Sequence, residues 1–258
     1  MRYHDSMSDH SPHSLQQHLF QLRSTASYAC GYLPGQEARS QVVVPIQKVD
    51  SWSYDALLEQ GFRRSGVTTY RTACHECHAC VPMRIPVQAF RPDRSQRRAL
   101  RQHGDLTTEL LPLAYTDEHY DLYRRYQHAR HNGGGMDDNT PEDYRNFLLE
   151  SPLESMLVEF RLYGELKIVS IIDVTPNALS AVYTFYESDA GASYGSYAIL
   201  WQIELARRTR RRHVYLGYWI EQSDKMRYKV RYRPFELRLD DRWMRFADCS
   251  APLFQPRP

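Results

Sequence analysis

The order of apolar and polar residues divides the first third of the chain into short strands and one helix. Gln41–Pro45 is an apolar run of strand length, and Tyr54–Gly61 has the pattern of a helix that ends at a glycine. Phe62–Arg71 alternates between apolar and polar positions around the turn residues Ser65-Gly66, which predicts strands joined by a turn. These features predict a small α+β unit that begins near Leu15.

The middle of the chain carries three helical patterns. Asp93–Gly104 predicts an arginine-rich helix that ends at a glycine, and Thr116–Arg130 places tyrosines at helical spacing. A glycine-containing loop follows at His131–Asp138. Thr140-Pro141 then predicts the start of the next helix, because proline suits the first helical turn and the acidic residues after it complement the helix dipole.

Three runs rich in β-forming residues come next, separated from one another by turn residues. The three runs are Met156–Leu162, Lys167–Val174 and Ala181–Tyr186. Tyr197–Arg208 then predicts a helix with an apolar face, and Val214–Ile220 predicts a buried strand. Three antiparallel strands, a helix and a strand are the order of elements in the acetyltransferase-like (GNAT) α/β fold.

Together these elements predict a mixed α/β (α+β) protein with two units. We expect a polar tail at residues 1–14, a cysteine-containing N-terminal domain at residues 15–104 and a GNAT-like transferase domain at residues 105–258. No segment approaches the roughly 20 apolar residues that span a bilayer, and the polar N-terminal segment lacks the apolar core of a secretory signal. The sequence therefore predicts a cytoplasmic protein without a membrane partner.

Positive charge is concentrated in three segments, although the formal net charge is only +2. Arg84–Arg101 contains six arginines and one acidic residue, and Arg207–Arg212 contains five arginines in six positions. In Lys225–Arg233 a cation occupies every second position. A strand would place all of them on one face, whereas a loop would spread them. Clustered cations are typical of a protein that binds a phosphate backbone, and also of a solvated charged face.

Four of the five cysteines are candidates for a metal site. Cys74, Cys77 and Cys80 are spaced three residues apart, and Cys30 supplies a fourth thiol. Four thiolates suit zinc or an iron–sulfur cluster. Cys249 is isolated in the sequence, and an odd number of cysteines fits poorly with a secreted, disulfide-bonded protein.

Short motifs are distributed over nearly the whole chain. They are Cys30–Gly35, Tyr70-Arg71, Cys74–Pro82, Tyr123–Tyr126, Ser180–Tyr186, Gly195–Leu200, Tyr215–Ile220, Lys225–Lys229 and Arg233–Glu236. In this order they resemble the arginyl-tRNA–protein transferase family, and within it the short bacterial branch. Only about the first dozen residues and the last ten lie outside the resemblance.

The resemblance implies an aminoacyltransferase. Members of the bacterial branch take leucine from leucyl-tRNA and attach it to the N-terminus of proteins that begin with Asp or Glu, which marks those proteins for degradation. The implied partners are therefore aminoacyl-tRNA and such proteins. Because the aminoacyl ester is already activated, the chemistry requires no cofactor. An α-amino group with a pKa of about 7.7–8.0 is partly neutral at pH 7, so a strong base is optional.

Such a reaction needs residues for three roles. A cation must select the acidic acceptor, and Arg71 is the first candidate, with Arg84 as the alternative. Asp173 and Glu236 are the candidates for proton transfer, and a structural role is the alternative for each. The candidates for contacts with the tRNA and its aminoacyl end are Tyr183, Tyr218, Trp219, Lys225, Arg227, Tyr228, Lys229 and Arg231.

Three alternative functions remain open on the sequence. A CoA-dependent acetyltransferase would share the predicted fold, but Gly191–Gly195 is a poor match to a glycine-rich pyrophosphate loop. A non-catalytic, metal-containing RNA-binding protein would account for the basic clusters and the cysteines. Arginine in place of leucine would keep the reaction and change only the donor, and no residue pattern decides between the two.

Overall fold

The structure of the chain is a computed structural model that describes residues 20–131 and 140–247. The predicted tail at residues 1–14, residues 132–138 of the predicted glycine loop and Cys249 lie outside the described residues. None of the helices in the described residues combines the length and the apolar composition that crossing a membrane requires.

The described residues form strands and helices in the order that follows. The strands are β1 (Gln21–Ser24), β2 (Tyr28–Ala29), β3 (Glu37–Ala38), β4 (Ser40–Val44), β5 (Arg63–Ser65), β6 (Thr68–Thr72), β7 (Val81–Pro86), β8 (Thr107–Leu111), β9 (Ser155–Leu162), β10 (Glu165–Val174), β11 (Ala178–Tyr186), β12 (His213–Trp219), β13 (Phe235–Leu239) and β14 (Arg242–Phe246). The α-helices are α1 (Ser51–Glu59), α2 (Arg94–Gln102), α3 (Asp117–His131), α4 (Pro141–Tyr144) and α5 (Tyr194–Arg208).

An eight-stranded mixed sheet is the largest element of the described structure. Its strand order is β14-β13-β7-β12-β11-β10-β9-β8. Strands β9, β10 and β11 pair antiparallel, and β12, which follows helix α5 in the chain, pairs parallel with β11. The predicted order of three antiparallel strands, a helix and a strand is therefore confirmed.

The two faces of this sheet bury different cores, because successive side chains of a strand point to opposite faces. Ile168 and Ile172 of β10 pack in a cluster with Ala198 of α5. Val169 and Ile171 face the other way, into a cluster that includes residues of α3. The helices thus cover both faces of the sheet, which explains why β10 reads as a continuous apolar run in the sequence.

A second sheet, with the order β1-β4-β6-β5, packs together with helix α1. Val43 of β4 and Leu58 of α1 share a buried cluster with Tyr215 of β12. The smaller sheet is therefore joined to the larger one by a continuous apolar core. The hairpin that the sequence predicts around Ser65-Gly66 is present as β5 and β6.

Three helices begin where the sequence supplies a capping residue. Asp50 caps α1 and Asp93 caps α2, in each case through a reciprocal pair of hydrogen bonds with the residue three positions later. Thr140 caps α4 in the same way, with Pro141 in the first turn. A side-chain oxygen at this position satisfies backbone N–H groups that have no partner within the helix, so these starts are fixed by local chemistry.

Strand β7 crosses the predicted domain boundary. Residues 81–86 belong to the predicted N-terminal domain, yet they pair with β12 on one side and with β13 on the other. Helix α2 also packs against α5. The larger sheet therefore draws on both sides of residue 104, and the predicted boundary does not coincide with a division between the sheets.

Of the two arrangements open for Lys225–Arg233, a strand with its cations on one face and a loop that spreads them, the structure excludes the strand. Residues Arg227–Arg231 form a 3-10 helical turn. Within this turn Lys229 is buried, whereas Arg227 and Arg231 are exposed. The cations therefore do not share one face, because a turn of about three residues distributes alternate side chains around its axis.

Candidate active site where two strands separate

Strands β11 and β12 pair over only part of their length. Their parallel ladder runs from Ala178 and His213 to Ser180 and Tyr215, although β11 continues to Tyr186 and β12 continues to Trp219. Beyond the last shared pair the two strands leave a wedge, here called the strand cleft, between residues 181–186 and 216–219. Backbone groups on its facing edges have no ladder partner in the opposite strand.

The β12 side of the strand cleft is held by a buried lysine. The ammonium group of Lys229 donates to the carbonyl oxygens of Leu216 and Tyr218, both at 2.7 Å. These two residues lie beyond the last pair with β11, so the lysine stabilises β12 where it has left its neighbour. Burial, and then the positive charge of Arg63, lower the pKa of Lys229 to about 7.

Arg63 lies beside the strand cleft and is surrounded by tyrosines. Its guanidinium carbon is 5.7 Å from the ring centroid of Tyr70 and 5.6 Å from that of Tyr218. One guanidinium nitrogen donates to the hydroxyl of Tyr32 at 3.3 Å. Strand β12 passes close by at Gly217, where an added β-carbon would lie 3.5 Å from the same nitrogen. Burial acts to lower the pKa of Arg63, but the surrounding tyrosine hydroxyls outweigh it and the pKa is raised.

The far side of the strand cleft is aromatic. Tyr186, at the end of β11, packs edge-on against Tyr126 of α3 at 4.9 Å, and the guanidinium of Arg130 lies 5.4 Å from its ring centroid. A β-carbon at Gly195, in the first turn of α5, would approach the Tyr186 ring to 2.9 Å. The ring therefore covers the helix start that would bind the pyrophosphate of CoA, which argues against the acetyltransferase alternative.

Arg84 and Glu236, predicted for acceptor binding and proton transfer, bind each other. Arg84 donates to Glu236 at 2.7 Å, to Glu59 at 2.5 Å and to the Tyr215 hydroxyl at 2.9 Å. Burial acts to raise the pKa of Glu236, but the hydrogen bonds from Arg84 and Arg245 outweigh it and lower the pKa. Arg84 and Glu236 are therefore both charged and bound to each other. The structure leaves neither Arg84 free for acceptor binding nor Glu236 free for proton transfer.

Asp173, the other predicted proton-transfer residue, is also engaged. Both of its carboxylate oxygens accept from Arg64, at distances between 2.7 and 3.0 Å, and one accepts from the Ser155 hydroxyl at 2.6 Å. Asp173 and Arg64 are both buried. A buried, bidentate pair of this kind has a structural explanation, so the geometry favours the structural alternative for Asp173.

Arg71, the first candidate for acceptor binding, lies on the opposite face of β6 from Tyr70, because successive residues of a strand alternate. It donates to the side-chain oxygen of Gln41 at 3.0 Å and stacks over the Phe62 ring at 4.9 Å. The structure therefore does not bring Arg71 together with Arg63, and its role in acceptor binding stays a prediction.

The predicted tRNA contacts fall into an exposed group and a buried group. Tyr218 and Trp219 are 1% and 3% exposed, so neither is available to stack on a base. Tyr183 is half-buried and its hydroxyl accepts from Gln127 at 3.2 Å. Lys229 is buried as described above. The exposed members are Lys225, Arg227, Tyr228 and Arg231.

The exposed cations of this group adjoin the arginines of α2. The side chain of Gln96 in α2 donates to the backbone carbonyl of Arg231 at 3.0 Å. Gln96 and Ala99 form the buried face of α2, so the helical period places its arginines on the other side. We call this exposed surface the basic ridge, which consists of Arg94, Arg97, Arg98, Arg101, Lys225, Arg227 and Arg231.

The four predicted metal ligands lie near one another. Burial, and then the neighbouring thiols of Cys30, Cys74 and Cys77, raise the pKa of Cys80 to about 12. All four thiols are free and half-buried. Among the described residues, however, no group of three or more Cys, His, Asp or Glu is arranged to hold a metal ion. The metal site stays a prediction, and no step proposed below involves a metal.

Sequence reasoning missed Arg63 and Tyr32. Arg63 and Arg64 are adjacent in β5, and adjacent residues of a strand point to opposite faces. Two neighbouring arginines in a predicted strand therefore indicate that at least one of them has a specific partner on a packed face. Tyr32 gave no such signal, because only the tertiary structure brings it 3.3 Å from Arg63.

Comparison with known proteins assigns the chain to a family. The model of the N-terminal region of arginine-tRNA-protein transferases matches residues 28–98, and the model of the C-terminal region matches residues 118–239. Among solved structures, FemX superposes with a TM-score of 0.43 at 9% identity, over 84% of this chain and 86% of FemX. A TM-score of this size supports no inference about function.

Several curated relatives are much more similar. The aspartate/glutamate leucyltransferase of Chromobacterium violaceum is 50% identical, over 85% of this chain and 91% of that protein. The relatives of the same name from Methylobacillus flagellatus and Pseudomonas putida are 47% and 46% identical, over 88% and 86% of this chain and 92% and 94% of the respective relatives. The chain therefore belongs to the arginine-tRNA-protein transferase family, in its aspartate/glutamate leucyltransferase branch.

Proposed function

We propose that the chain transfers leucine from leucyl-tRNA to the N-terminus of proteins that begin with Asp or Glu. The observation that carries this proposal is the identity of 46–50% to relatives named aspartate/glutamate leucyltransferase, which extends over at least 85% of the chain. The same similarity disfavours the non-catalytic RNA-binding alternative, because these relatives are named as transferases.

The proposed reaction is an aminolysis. The α-amino nitrogen of the acceptor attacks the ester carbonyl carbon, a C–N bond forms, and the C–O bond to the terminal ribose of the tRNA breaks. The proton released by the amine ends on the ribose oxygen. Because an ester is more reactive than the amide product, the step needs no ATP. The protein contributes alignment of the two substrates and stabilisation of the tetrahedral oxyanion.

The strand cleft supplies what this reaction requires. The facing edges of β11 and β12 have lost their mutual ladder, so backbone N–H groups there are donors for an oxyanion or for an extended acceptor. Arg63 and Lys229 both lie beside the strand cleft. Cationic groups there favour a negatively charged intermediate. No dedicated base is needed, since part of the acceptor amine is neutral near its pKa of about 7.7–8.0.

The basic ridge is the proposed docking surface for the tRNA. The turn at residues 227–231 contributes to both sites, because Lys229 points inward to the strand cleft while Arg227 and Arg231 belong to the ridge. A tRNA that lies along the ridge would therefore place its terminal nucleotide near the cleft. Charged tRNA is a cytoplasmic reagent, so the proposed reaction belongs to the cytoplasm, where a new N-terminal leucine would mark the acceptor for degradation.

A transfer assay tests the proposal. Purified protein is incubated with tRNA charged with radiolabelled leucine and with peptides that begin with Asp, Glu or Ala, in the absence of ATP. We expect label on the Asp and Glu peptides and little on the Ala peptide. A parallel reaction with labelled arginyl-tRNA compares the two donors.

The outcomes of this assay separate the alternatives. Label from arginyl-tRNA alone would keep the mechanism and replace the donor. Absence of label from both donors, with an active relative as positive control, would contradict the proposed activity.

A further inference from the structure

Arg63 has no anionic partner in the described part of the chain. It contacts the Tyr32 hydroxyl and the rings of Tyr70 and Tyr218. None of the carboxylates in residues 20–131 and 140–247 forms a salt bridge with it. An unpaired charge that is partly removed from water costs free energy, so a cation left in this state in a cleft indicates a charged ligand.

The two other buried arginines in this region are already paired with carboxylates. Arg64, the next residue, is paired with Asp173 at 2.7 Å, and Arg84 is paired with Glu236 at 2.7 Å and Glu59 at 2.5 Å. Arg63 and Arg64 therefore differ in their ion pairing although both lie in β5. The protein can pair a buried arginine with a carboxylate here, and at Arg63 it does not.

The enclosed space beside Arg63 is too small for a bulky anion. The adjoining cavity has a volume of about 10 Å³ and is bordered by Ser180, Gly217 and Tyr218, which is room for about one water molecule. An anion that reaches Arg63 must therefore approach from the strand cleft, and a carboxylate at the tip of an acceptor side chain is small and planar. A phosphodiester carries a ribose on each side, and the basic ridge offers exposed cations for it instead.

We propose that Arg63 binds the side-chain carboxylate of the acceptor's N-terminal Asp or Glu. This inference rests on the proposed function, which defines that acceptor. A guanidinium holds a carboxylate through two parallel N–H···O bonds. Because the Tyr32 oxygen accepts from Arg63, its own hydrogen is free to donate to the same carboxylate. Asn or Gln at the acceptor N-terminus would leave the cation uncompensated, so Arg63 sets the preference for acidic acceptors.

Kinetics with matched peptides test this role. For Arg63→Gln we expect kcat/KM for an Asp-starting peptide to fall about 100-fold, the effect of losing one charged, bidentate contact. The preference for Asp over Asn at the peptide N-terminus should shrink towards one, while the Kd for leucyl-tRNA stays unchanged. Arg63→Lys keeps the positive charge but cannot form the two parallel hydrogen bonds, and we expect kcat/KM to fall about 10-fold. Arg23→Gln, an exposed arginine on β1, is the control.

Direct binding separates this inference from the proposed function. Calorimetric titration of the wild-type protein with Asp- and Asn-starting peptides, without tRNA, requires no transfer. A wild-type protein that shows no transfer would overturn the proposed function. An active wild-type protein whose preference for Asp survives in Arg63→Gln would overturn only the role of Arg63. Loss of the preference for Asp over Asn in Arg71→Gln but not in Arg63→Gln would also overturn the role of Arg63. If Arg63→Gln does not fold, Arg63→Lys with wild-type affinity for both peptides would also overturn it.

Discussion

At the scale of single residues, the partner of a charged side chain decides its role. Arg63 and Arg64 are neighbours of the same type, yet Arg64 is locked to Asp173 while Arg63 faces the strand cleft among tyrosines. The residue type is therefore no guide to function until its partners are known. Asp173 and Arg84 illustrate the same point. Each could serve in an active site by residue type, but each forms an ion pair inside the protein.

The Asp173–Arg64 pair should act on stability. Replacing Asp173 by Asn leaves the buried Arg64 cation without its counter-charge, and breaking such a pair costs about 3–5 kcal/mol. We expect Asp173→Asn to lower the free energy of unfolding by this amount in denaturant titrations. Asp224→Asn, which removes the partner of Arg227 in an exposed pair, should change it by less than about 1 kcal/mol. A stable but inactive Asp173→Asn protein would restore a catalytic role for this carboxylate.

His213 should make the stability depend on pH. Burial, and then the positive charge of Arg84, lower its pKa to about 4. The unfolded chain protonates His213 below its ordinary pKa of about 6.5, whereas the folded protein does so only below about 4. Stability that is present above pH 6.5 is therefore lost as the pH falls through this window, by about 3 kcal/mol at most.

Substitution of His213 tests this dependence. Urea titrations between pH 7 and pH 4.5 should show a smaller loss of stability for His213→Gln than for the wild-type protein. His128→Gln, an exposed position on α3, should keep the wild-type slope. Equal slopes for wild type and His213→Gln would show that other groups produce the dependence.

At the scale of elements, turns connect the small hairpin to the rest of the protein. The N–H of Gly66, between β5 and β6, donates to the carbonyl of Phe147 at 3.0 Å. The carbonyl of Gly66 accepts from Arg64 at 2.7 Å. One glycine therefore fixes the hairpin that carries Arg63 against the helical segment at residues 141–149.

Gly66 should tolerate no side chain. A β-carbon there would lie 2.5 Å from the backbone carbonyl oxygen of Asn146, and the φ of +54° is already unfavourable for other residues. We expect Gly66→Ala to destabilise the protein by about 2–4 kcal/mol, from backbone strain and from the clash. Gly164 in the β9–β10 turn has a φ of +88° but nothing within 4 Å. Gly164→Ala should therefore cost only the strain, about 1 kcal/mol, and equal thermal shifts in the two variants would contradict this account.

At the scale of the whole molecule, charge is distributed unevenly although the net charge is only +2. Of the three segments rich in cations, the first and the third are far apart in the chain. They meet on the basic ridge because α2 lies beside the turn at residues 227–231. In contrast, the interior cations Arg64 and Arg84 are paired with carboxylates, and Lys229 is held by backbone carbonyls. The field that a tRNA would meet is therefore local to one surface.

The basic ridge should give tRNA binding a steep dependence on salt. Each phosphate contact contributes about 0.7–0.9 to the slope of log K against log salt concentration. We expect the double variant Arg98→Gln/Arg101→Gln to lower affinity for tRNA and to reduce that slope by about 1–2, as measured by filter binding. The double variant Arg23→Gln/Arg242→Gln removes the same charge outside the ridge. Equal effects of the two double variants, or a flat wild-type response, would exclude the ridge as the docking surface.

Local chemistry determined much of the fold from the sequence alone. Asp93 and Thr140 marked two helix starts in the sequence. The first helix was predicted from Tyr54 but begins at Ser51, after its cap Asp50. Turn residues and β-forming runs predicted the meander of β9, β10 and β11, and the motif order indicated the family. These signals act within a few residues along the chain, which is why the sequence suffices for them.

Only the tertiary structure decided which charged and aromatic residues form a site. It placed β7 in the larger sheet, turned the alternating cations of residues 225–233 into a 3-10 turn, and paired Arg84 with Glu236. It also brought Tyr32 to Arg63 and separated β11 from β12 beyond Ser180. The physical reason is that burial and ion pairing depend on contacts between residues distant in the sequence, and these contacts are set when the sheets and helices pack.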